Sequence, residues 1–332
     1  MNAAERRSKR ILMLLLLSLV CVLGFVFSLA LGSLKLSIFQ VLTTLLGPER
    51  GTDYQIVVNI RLPRTLVAAC VGICLSISGC LLQGIMRNPL AAPNIIGVSS
   101  GAGLAGVIIL ILYPGIYYLL PPVAFGGAMV TTVLVYLLAW QQGVRPYRLI
   151  LAGVAVSSFL GAMITGLMIF FPDRVHSVLG YMVGGLSART WKHFIIVMPY
   201  TVFGLLLTCL FSRRLNILML GDEMAQGLGV RVERTRLFFI ALSALLAGSA
   251  VSVAGLLGFV GLMVPHITRL LIGSDYRYLL PASALFGAAL VMVCDTVSRV
   301  LLDPVEVPVG IIMALLGAPF FLYLLRSKAL QQ

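Results

Sequence analysis

Residues Leu81–Gly103 read L-L-Q-G-I-M-R-N-P-L-A-A-P-N-I-I-G-V-S-S-G-A-G, a polar, glycine-rich stretch between two long apolar runs. Its prolines and its paired serines interrupt sequence that otherwise looks membrane-spanning. Inside hydrocarbon every backbone N–H and C=O needs a partner, so such an interruption belongs at a membrane surface or along a protein-lined or water-lined path. A transport path is therefore the first hypothesis.

The composition is that of a polytopic membrane protein. Hydrophobic residues make up 60% of the 332 positions and charged residues only 11%, whereas soluble domains are about half apolar and about a quarter charged. We predict an all-α fold, a single transmembrane domain over 1–332, with short or broken helices among about ten spans of roughly 30 Å each. The predicted spans are 11–31, 64–86, 94–113, 119–140, 148–171, 193–211, 236–256, 257–272, 281–301 and 308–325.

The distribution of basic residues predicts the orientation of these spans. With ten spans, 16 of the 24 Lys and Arg residues fall in inside segments and eight in outside segments, and such residues favour the cytoplasmic side. Both termini are therefore predicted in the cytoplasm, with a first span that is retained and not cleaved as a signal peptide. Orientation and attraction to anionic lipid account for the net charge of +13, so no nucleic-acid partner is expected.

The cysteines and histidines give no sign of a metal or catalytic site. All six cysteines lie in apolar spans without C-x-x-C pairing, and the three histidines form no H-E-x-x-H motif. Neither a metal ion nor a cofactor is expected. A membrane-embedded enzyme also lacks a recognisable nucleophile and base pair in this sequence.

Two arginines flank a proline in the segment Arg61-Leu62-Pro63-Arg64, at the predicted outer mouth of the second span. Proline suits the first turn of a helix. Guanidinium groups pair with carboxylates in a bidentate fork, so these arginines could dock an acidic partner. The alternative is charge that only orients the span or reaches towards the interface.

A carboxylate, Asp295, lies within the ninth predicted span, and Arg299 follows one helical turn later. A charge at mid-membrane costs roughly 2.5–3.5 kcal/mol on insertion scales, so it normally faces the protein interior and has a partner. An ion pair with Arg299 within the helix is the simplest interpretation. The alternative is a proton or ion site of a secondary transporter.

The longest cytoplasmic loop, about residues 212–236, contains L-M-L-G-D-E-M-A-Q-G-L-G-V at 218–230. Asp222 is the predicted N-cap of a short helix that Gly227 or Gly229 ends, and the acidic Asp222 and Glu223 suit its positive end. A helix of this length is unstable alone. It needs the membrane domain or a partner, unless the loop is an ordinary connector.

Three closely spaced glycines precede Pro265, from the end of the seventh predicted span into the eighth. Gly255, Gly258 and Gly261 predict a broken or tightly turned helix pair. The alternative is close helix packing without any contact to a transported molecule.

Taken in order, these segments resemble the FecCD family, the permease subunits of ABC importers for iron-siderophores, haem and cobalamin. The likeness runs from about residue 55 to 325. It is carried by R-L-P-R (61–64), Q-G-I-M-R-N-P-L-A-A-P (83–93), G-V-S-S-G-A (97–102), L-G-D-E-M-A-Q-G-L-G (220–229), G-F-V-G-L-M-V-P-H-I (258–267), D-T-V-S-R (295–299) and E-V-P-V-G (306–310).

The resemblance implies ten spans per subunit and a homodimer, or a pair of homologous permeases, around a central path in the cell's cytoplasmic membrane. Two ABC ATPase subunits then bind on the cytoplasmic side and a substrate-binding protein outside. The implied residues are Arg61, Arg64 and Arg299 for binding-protein docking; Asn88, Pro89 and Leu90 for the cytoplasmic gate; Leu220, Gly221, Asp222, Glu223, Ala225, Leu228 and Gly229 for ATPase coupling; and Gly258, Gly261, Pro265 and Asp295 for the structural pathway.

A second family gate falls between spans four and five. Some relatives carry small hydroxyl residues there, but this chain has Pro146-Tyr147, so that gate's residues are not transferred.

No G-x-x-x-x-G-K-[ST] phosphate loop occurs in the sequence, so ATP hydrolysis must come from another polypeptide and this chain is not expected to be an enzyme. The resemblance implies a metal chelate as cargo. A ferric siderophore is favoured, with haem or cobalamin as the alternatives.

Overall fold

The structure is a computed structural model that describes residues 3–326 except 33, 35, 48–50 and 142–145, without the side chains of 3, 4, 6, 45, 46 and 325. Some charges counted in the predicted topology therefore lie outside the described residues: Lys35, Arg50, Arg145, Lys328 and the side chain of Arg6. The described residues are predominantly helical, and no strand occurs among them. The all-α prediction is confirmed.

Fifteen α-helices follow one another in these ranges. A π-helical segment, Gln55–Arg61, joins α3 to α4, so that Thr52–Met86 is one continuous helix. The helices are α1 Ala3–Ala30, α2 Ile38–Leu46, α3 Thr52–Tyr54, α4 Leu62–Met86, α5 Val98–Leu112, α6 Leu120–Ala139, α7 Pro146–Phe170, α8 Val175–Val183, α9 Trp191–Leu210, α10 Ser212–Leu218, α11 Asp222–Gly227, α12 Val232–Ala254, α13 Val260–Ile272, α14 Tyr276–Val300 and α15 Val309–Arg326.

Seven helices in the described part of the chain are long and apolar enough to cross a membrane. Three shorter apolar helices accompany them, Val98–Leu112, Val260–Ile272 and Val309–Leu324. Each of the ten predicted spans overlaps one of these ten helices. The count of ten crossings stays a prediction, because an α-helix rises only 1.5 Å per residue and a helix as short as α13 reaches only about 20 Å.

Five of the fifteen helices lie outside the predicted spans. The helices α2, α3 and α8 occupy segments interpreted as outer loops, α10 precedes the predicted short helix of the cytoplasmic loop, and α11 falls on that short helix. A signal for α2 was present in the sequence, because Ser37 and Gln40 form a reciprocal capping box at its start.

Helix α4 is the buried centre of the bundle. It packs against α9, α12, α13 and α14, whereas α1, α7 and α9 expose most of their apolar surface, as lipid-facing helices do. Close approach to α13 depends on glycine, because a methyl group at Gly79 would overlap the carbonyl oxygen of Gly261. Since α4 runs through the centre of the bundle, its first and last turns lie at opposite ends of it.

Candidate functional sites at the two ends of α4

The first turn of α4 carries Arg64, whose guanidinium is buried between two carboxylates. Its Nη2 donates to Oδ1 of Asp295 at 2.9 Å and its Nε to Oδ2 of Asp295 at 3.0 Å. On the other edge, Nη1 lies 3.0 Å from both carboxylate oxygens of Glu306. Asp295 is fully buried, while the Glu306 side chain is 42% exposed. Arg64 therefore joins α14 to the loop that follows it.

Arg299 completes the other side of the same carboxylate. It lies 3.4 Å from Oδ2 of Asp295, one turn away on α14, which is the pair that the sequence spacing indicated. It also donates to the carbonyl oxygen of Ser28 at 3.1 Å and to its Oγ at 2.9 Å. The contact ties α14 to α1, a connection that the sequence did not indicate.

Arg61 lies in the last turn of the π-helical segment and reaches the end of α1. It donates to the carbonyl oxygens of Leu29 and Ala30 at 2.8 and 2.9 Å, and also to that of Leu34. The last carbonyl groups of a helix have no partner within the helix and form its negative end. Arg61 satisfies these groups and neutralises that end.

The structure brings the three predicted docking arginines together at one end of the bundle, but it buries them. Arg61, Arg64 and Arg299 are 5–6% exposed, and each already has partners within the chain. The exposed acidic group of this network is Glu306, which also accepts a hydrogen bond from Ser187 at 2.7 Å. Partial burial alone raises the pKa of Glu306, but the hydrogen bond from Ser187 and the charge of Arg64 outweigh it and hold that pKa below its ordinary value.

The last turn of α4 ends at the predicted cytoplasmic gate. Arg87 adopts a left-handed conformation (φ 48°) that stops the helix. Asn88 then accepts a hydrogen bond through Oδ1 from the backbone N–H of Leu90 at 2.9 Å, the local bond by which asparagine fixes a tight turn. The Asn88-Pro89-Leu90 segment is thus a defined turn.

An ion cluster connects this turn to the cytoplasmic loop. Arg87 Nη2 lies 3.3 Å from Oδ1 of Asp222, and Arg236 Nη2 lies 3.0 Å from both oxygens of the same carboxylate. Arg236 also donates to Glu233 at 2.9 Å. Asp222 therefore links the gate turn to α12. Arg87 and Arg236 were not assigned a role from the sequence.

The predicted short helix exists as α11, Asp222–Gly227, but the prediction that Asp222 is its N-cap is wrong. Gly221 occupies that position with φ 108°, a conformation that favours glycine. Asp222 is the first helical residue, and its carboxylate faces the two arginines instead of the helix N–H groups.

The coupling loop exposes a row of apolar side chains. Leu220, Met224 and Leu228 follow one another at helical spacing and are each 58–61% exposed, whereas Ala225 is fully buried. Met224 was missed in the sequence analysis, although its spacing of four from the two leucines was visible. Gly221, Glu223 and Gly229 border this row.

The four residues assigned to the pathway do not form one cluster. Asp295 belongs to the outer arginine network, whereas Gly261 packs against Gly79 of α4. Pro265 is buried inside α13. A Cβ atom added at Gly258 would meet open space, because no described residue other than its chain neighbours has an atom within 4 Å of it. Among the described residues, no three His, Cys, Asp or Glu side chains are grouped to hold a metal ion.

Comparison with known proteins adds a family context to this geometry. The model of the FecCD transport family matches residues 19–327. The chain is 39% identical over 334 residues to the Fe(3+)-citrate import system permease protein YfmE of Bacillus subtilis, with 100% of each chain covered. It is 43% identical over 278 residues to the cobalamin import system permease protein BtuC of Halobacterium salinarum, covering 83% of this chain and 75% of that protein.

A solved structure shares the fold. It is described as an inward-facing conformation of a metal-chelate type ABC transporter, with a TM-score of 0.85 and 32% sequence identity. The match covers 94% of this chain and 98% of the other.

Proposed function

Because the chain belongs to the FecCD transport family, we propose that it moves a ferric siderophore from an outer binding protein to the cytoplasm. It is a multi-pass ABC permease of the iron-chelate type, and permeases of this family work with an ATPase and a binding protein. We further propose that the chain forms a homodimer, binds two ATPase subunits and has both termini in the cytoplasm. Haem and cobalamin are the alternative cargoes.

The observation that carries the mechanism is the bridge made by Asp222. One carboxylate holds Arg87 at the end of α4 and Arg236 at the start of α12. A displacement of α11 is therefore passed to the gate turn at 88–90 through a direct ion pair, without an intervening flexible loop. ATP can drive such a change only because the ATPase binds the two states of the permease with different affinity.

The ATPase is proposed to bind the exposed apolar side chains of the coupling loop. The described residues leave Leu220, Met224 and Leu228 exposed. Apolar anchors in a partner's groove supply most of the binding energy in such contacts. Because Asp222 is paired with two arginines, a movement of the bound loop would also move the gate turn.

The binding protein is proposed to dock on the outer arginine network. Arg61, Arg64 and Arg299 are buried, so an incoming carboxylate reaches Arg64 by replacing Glu306, the exposed acid on its outer edge. Docking would thereby exchange one carboxylate partner for another and leave no guanidinium group without one. This exchange avoids the cost of an unpaired buried charge.

An ion-coupled secondary transporter that uses Asp295 fits the geometry less well. Both oxygens of this carboxylate are engaged by Arg64 and Arg299, and the residue is fully buried. A proton site must be able to exchange its proton with the path, whereas Asp295 serves as the anion between two fixed cations.

Uptake tests the proposed cargo directly. Cells without their own importer would express the permease with its cognate ATPase and binding protein, and would receive labelled ferric siderophore, haem and cobalamin in parallel. We expect ATPase-dependent uptake of the siderophore. Uptake of haem or cobalamin alone would replace the cargo, and uptake that persists with an inactive ATPase would contradict the ABC mechanism in this chain.

A further inference from the structure

A basic cavity of about 470 Å³ lies beside the coupling loop. Three arginines line it: Arg214 from α10, Arg231 from the loop before α12, and Arg234 from the first turn of α12. Arginines from two segments of the chain, α10 and the start of α12, therefore line one opening.

These arginines have no acidic partner in the part of the chain that the structure describes. None of the three forms an ion pair there. Of the three acids in the 212–236 loop, Asp222 and Glu233 instead pair with Arg236 at 3.0 and 2.9 Å, and Glu223 forms no ion pair within the described residues. The cavity therefore keeps an excess of positive charge that its own loop does not neutralise.

An aromatic wall fixes the position of one of these charges. The guanidinium carbon of Arg214 lies 4.9 Å from the ring centre of Phe211, within the range of a cation–π contact. Phe211 packs edge-on against Phe238 of α12 with ring centres 5.2 Å apart, and Phe238 lines the cavity. These contacts connect the start of α10 to α12.

Two exposed apolar side chains directly precede Phe211 and Phe238 in the chain. Leu210, the last residue of α9, and Leu237, one turn beyond Arg234, are both exposed apolar side chains. Helix α9 exposes most of its apolar surface along its length.

We propose that this cavity binds the phosphate of an anionic phospholipid of the cytoplasmic leaflet. Arginine forks suit phosphate oxygens, and the acyl chains would lie against Leu210 and Leu237. This adjacent apolar surface favours a lipid over an acidic segment of the ATPase, which would place no hydrocarbon there. The bound lipid connects α10 to α12, the two elements that flank α11, and so supports the coupling loop.

Lipid binding to the purified permease tests this site. The probe is short-chain phosphatidylglycerol, with phosphatidylcholine as the neutral comparison, titrated and counted by native mass spectrometry. The test variant is R214Q/R231Q/R234Q. A matched control, R7Q/R213Q/R326Q, removes three other exposed arginines predicted on the same side.

We expect phosphatidylglycerol to bind the test variant about a hundredfold more weakly than the control, because the test variant lacks all three basic side chains that line the cavity. Equal weakening in both variants, or equal binding of phosphatidylcholine by the unaltered protein, would overturn the proposal. Displacement by millimolar inorganic phosphate would identify a free anion as the ligand instead. Loss of ATPase copurification with unchanged lipid binding would identify the ATPase as the occupant. Should the triple variant not fold, the headgroup comparison on the unaltered protein decides the question.

Discussion

Asp295 is the residue on which the outer end of the bundle depends. Its carboxylate is fully buried and holds Arg64 at 2.9 Å and Arg299 at 3.4 Å. The shorter contact is the one between helices, so this carboxylate stabilises the packing of α4 on α14 and not only the helix to which it belongs. Removing one partner of a buried ion pair typically costs 3–5 kcal/mol because a charge is left without compensation.

We therefore expect Asp295→Asn to lower the free energy of unfolding by about 3 kcal/mol, measured by denaturant titration in detergent. Asp173→Asn is the matched control, because that carboxylate is exposed and an exposed charge contributes about 1 kcal/mol at most. If the two variants lose equal stability, the buried network is not what holds α4 to α14.

Glu306 predicts a pH dependence at the same end of the molecule. Its pKa is held below the ordinary value of 4.5 in the folded protein. Its stabilising contact is therefore complete above pH 4.5 and is lost as the pH falls through the lowered pKa.

The difference in melting temperature between the unaltered protein and Glu306→Gln should accordingly be constant near neutral pH and shrink in acid. Asp303→Asn, an exposed carboxylate in the same loop, controls for general charge effects. A difference that stays constant down to pH 3 would show that ionisation of Glu306 does not strengthen the contact.

Asp222 connects α11 to the end of α4 and to α12 through its ion pairs with Arg87 and Arg236. The helix α11 has only six residues and is not stable alone. It is held by buried Ala225 and by the contacts of Asp222 to Arg87 and Arg236. A helix attached in this way can move as a body while keeping its connection to the gate turn.

We expect Asp222→Asn to reduce transport per ATP hydrolysed by about fivefold, which corresponds to about 1 kcal/mol, while the permease stays folded and binds its ATPase. The measurement is chelate uptake and ATP hydrolysis in the same reconstituted vesicles. Glu223→Gln removes the neighbouring carboxylate, which forms no ion pair within the described ranges. Equal loss in both variants would remove the special role of Asp222.

For the whole molecule, the two proposed partner surfaces lie at opposite ends of the most buried helix. Arg64 lies in the first turn of α4 and Arg87 directly follows its last residue, so this helix connects the outer arginine network to the ion cluster around Asp222. Docking outside and ATP binding inside would then bias the same two arrangements of the bundle. Such coupling requires that α4 moves as one body.

The family resemblance implies a central path between two permease subunits, so we expect two copies of this chain in the working complex. Two differently tagged copies, expressed together with the ATPase, should copurify in a ratio of two permeases to two ATPases by native mass spectrometry. A complex that contains only one tagged copy together with a different permease would replace the homodimer with a heterodimer.

Much of the architecture could be predicted because its signals are local in the chain. Apolar runs predicted each long helix, and the Asn88-Pro89-Leu90 turn follows from a proline and an asparagine in sequence. The prediction of Asp222 as N-cap was wrong because Gly221 occupies that position with a positive φ. The carboxylate of Asp222 pairs with Arg87 and Arg236 instead. Met224 and Ser187 were missed because exposure and loop proximity are not visible in spacing alone.

The sequence by itself determined the class of the protein, its long helices, its family and the set of charged residues, since hydropathy and ordered motifs are properties of neighbouring positions. Only the tertiary structure decided which charges meet. Arg64 and Asp295 are 231 positions apart, and Arg87 and Asp222 are 135 apart, so their pairing has no local signal. Burying a charge is costly without a partner, and the packing of the bundle supplies that partner from a distant part of the chain.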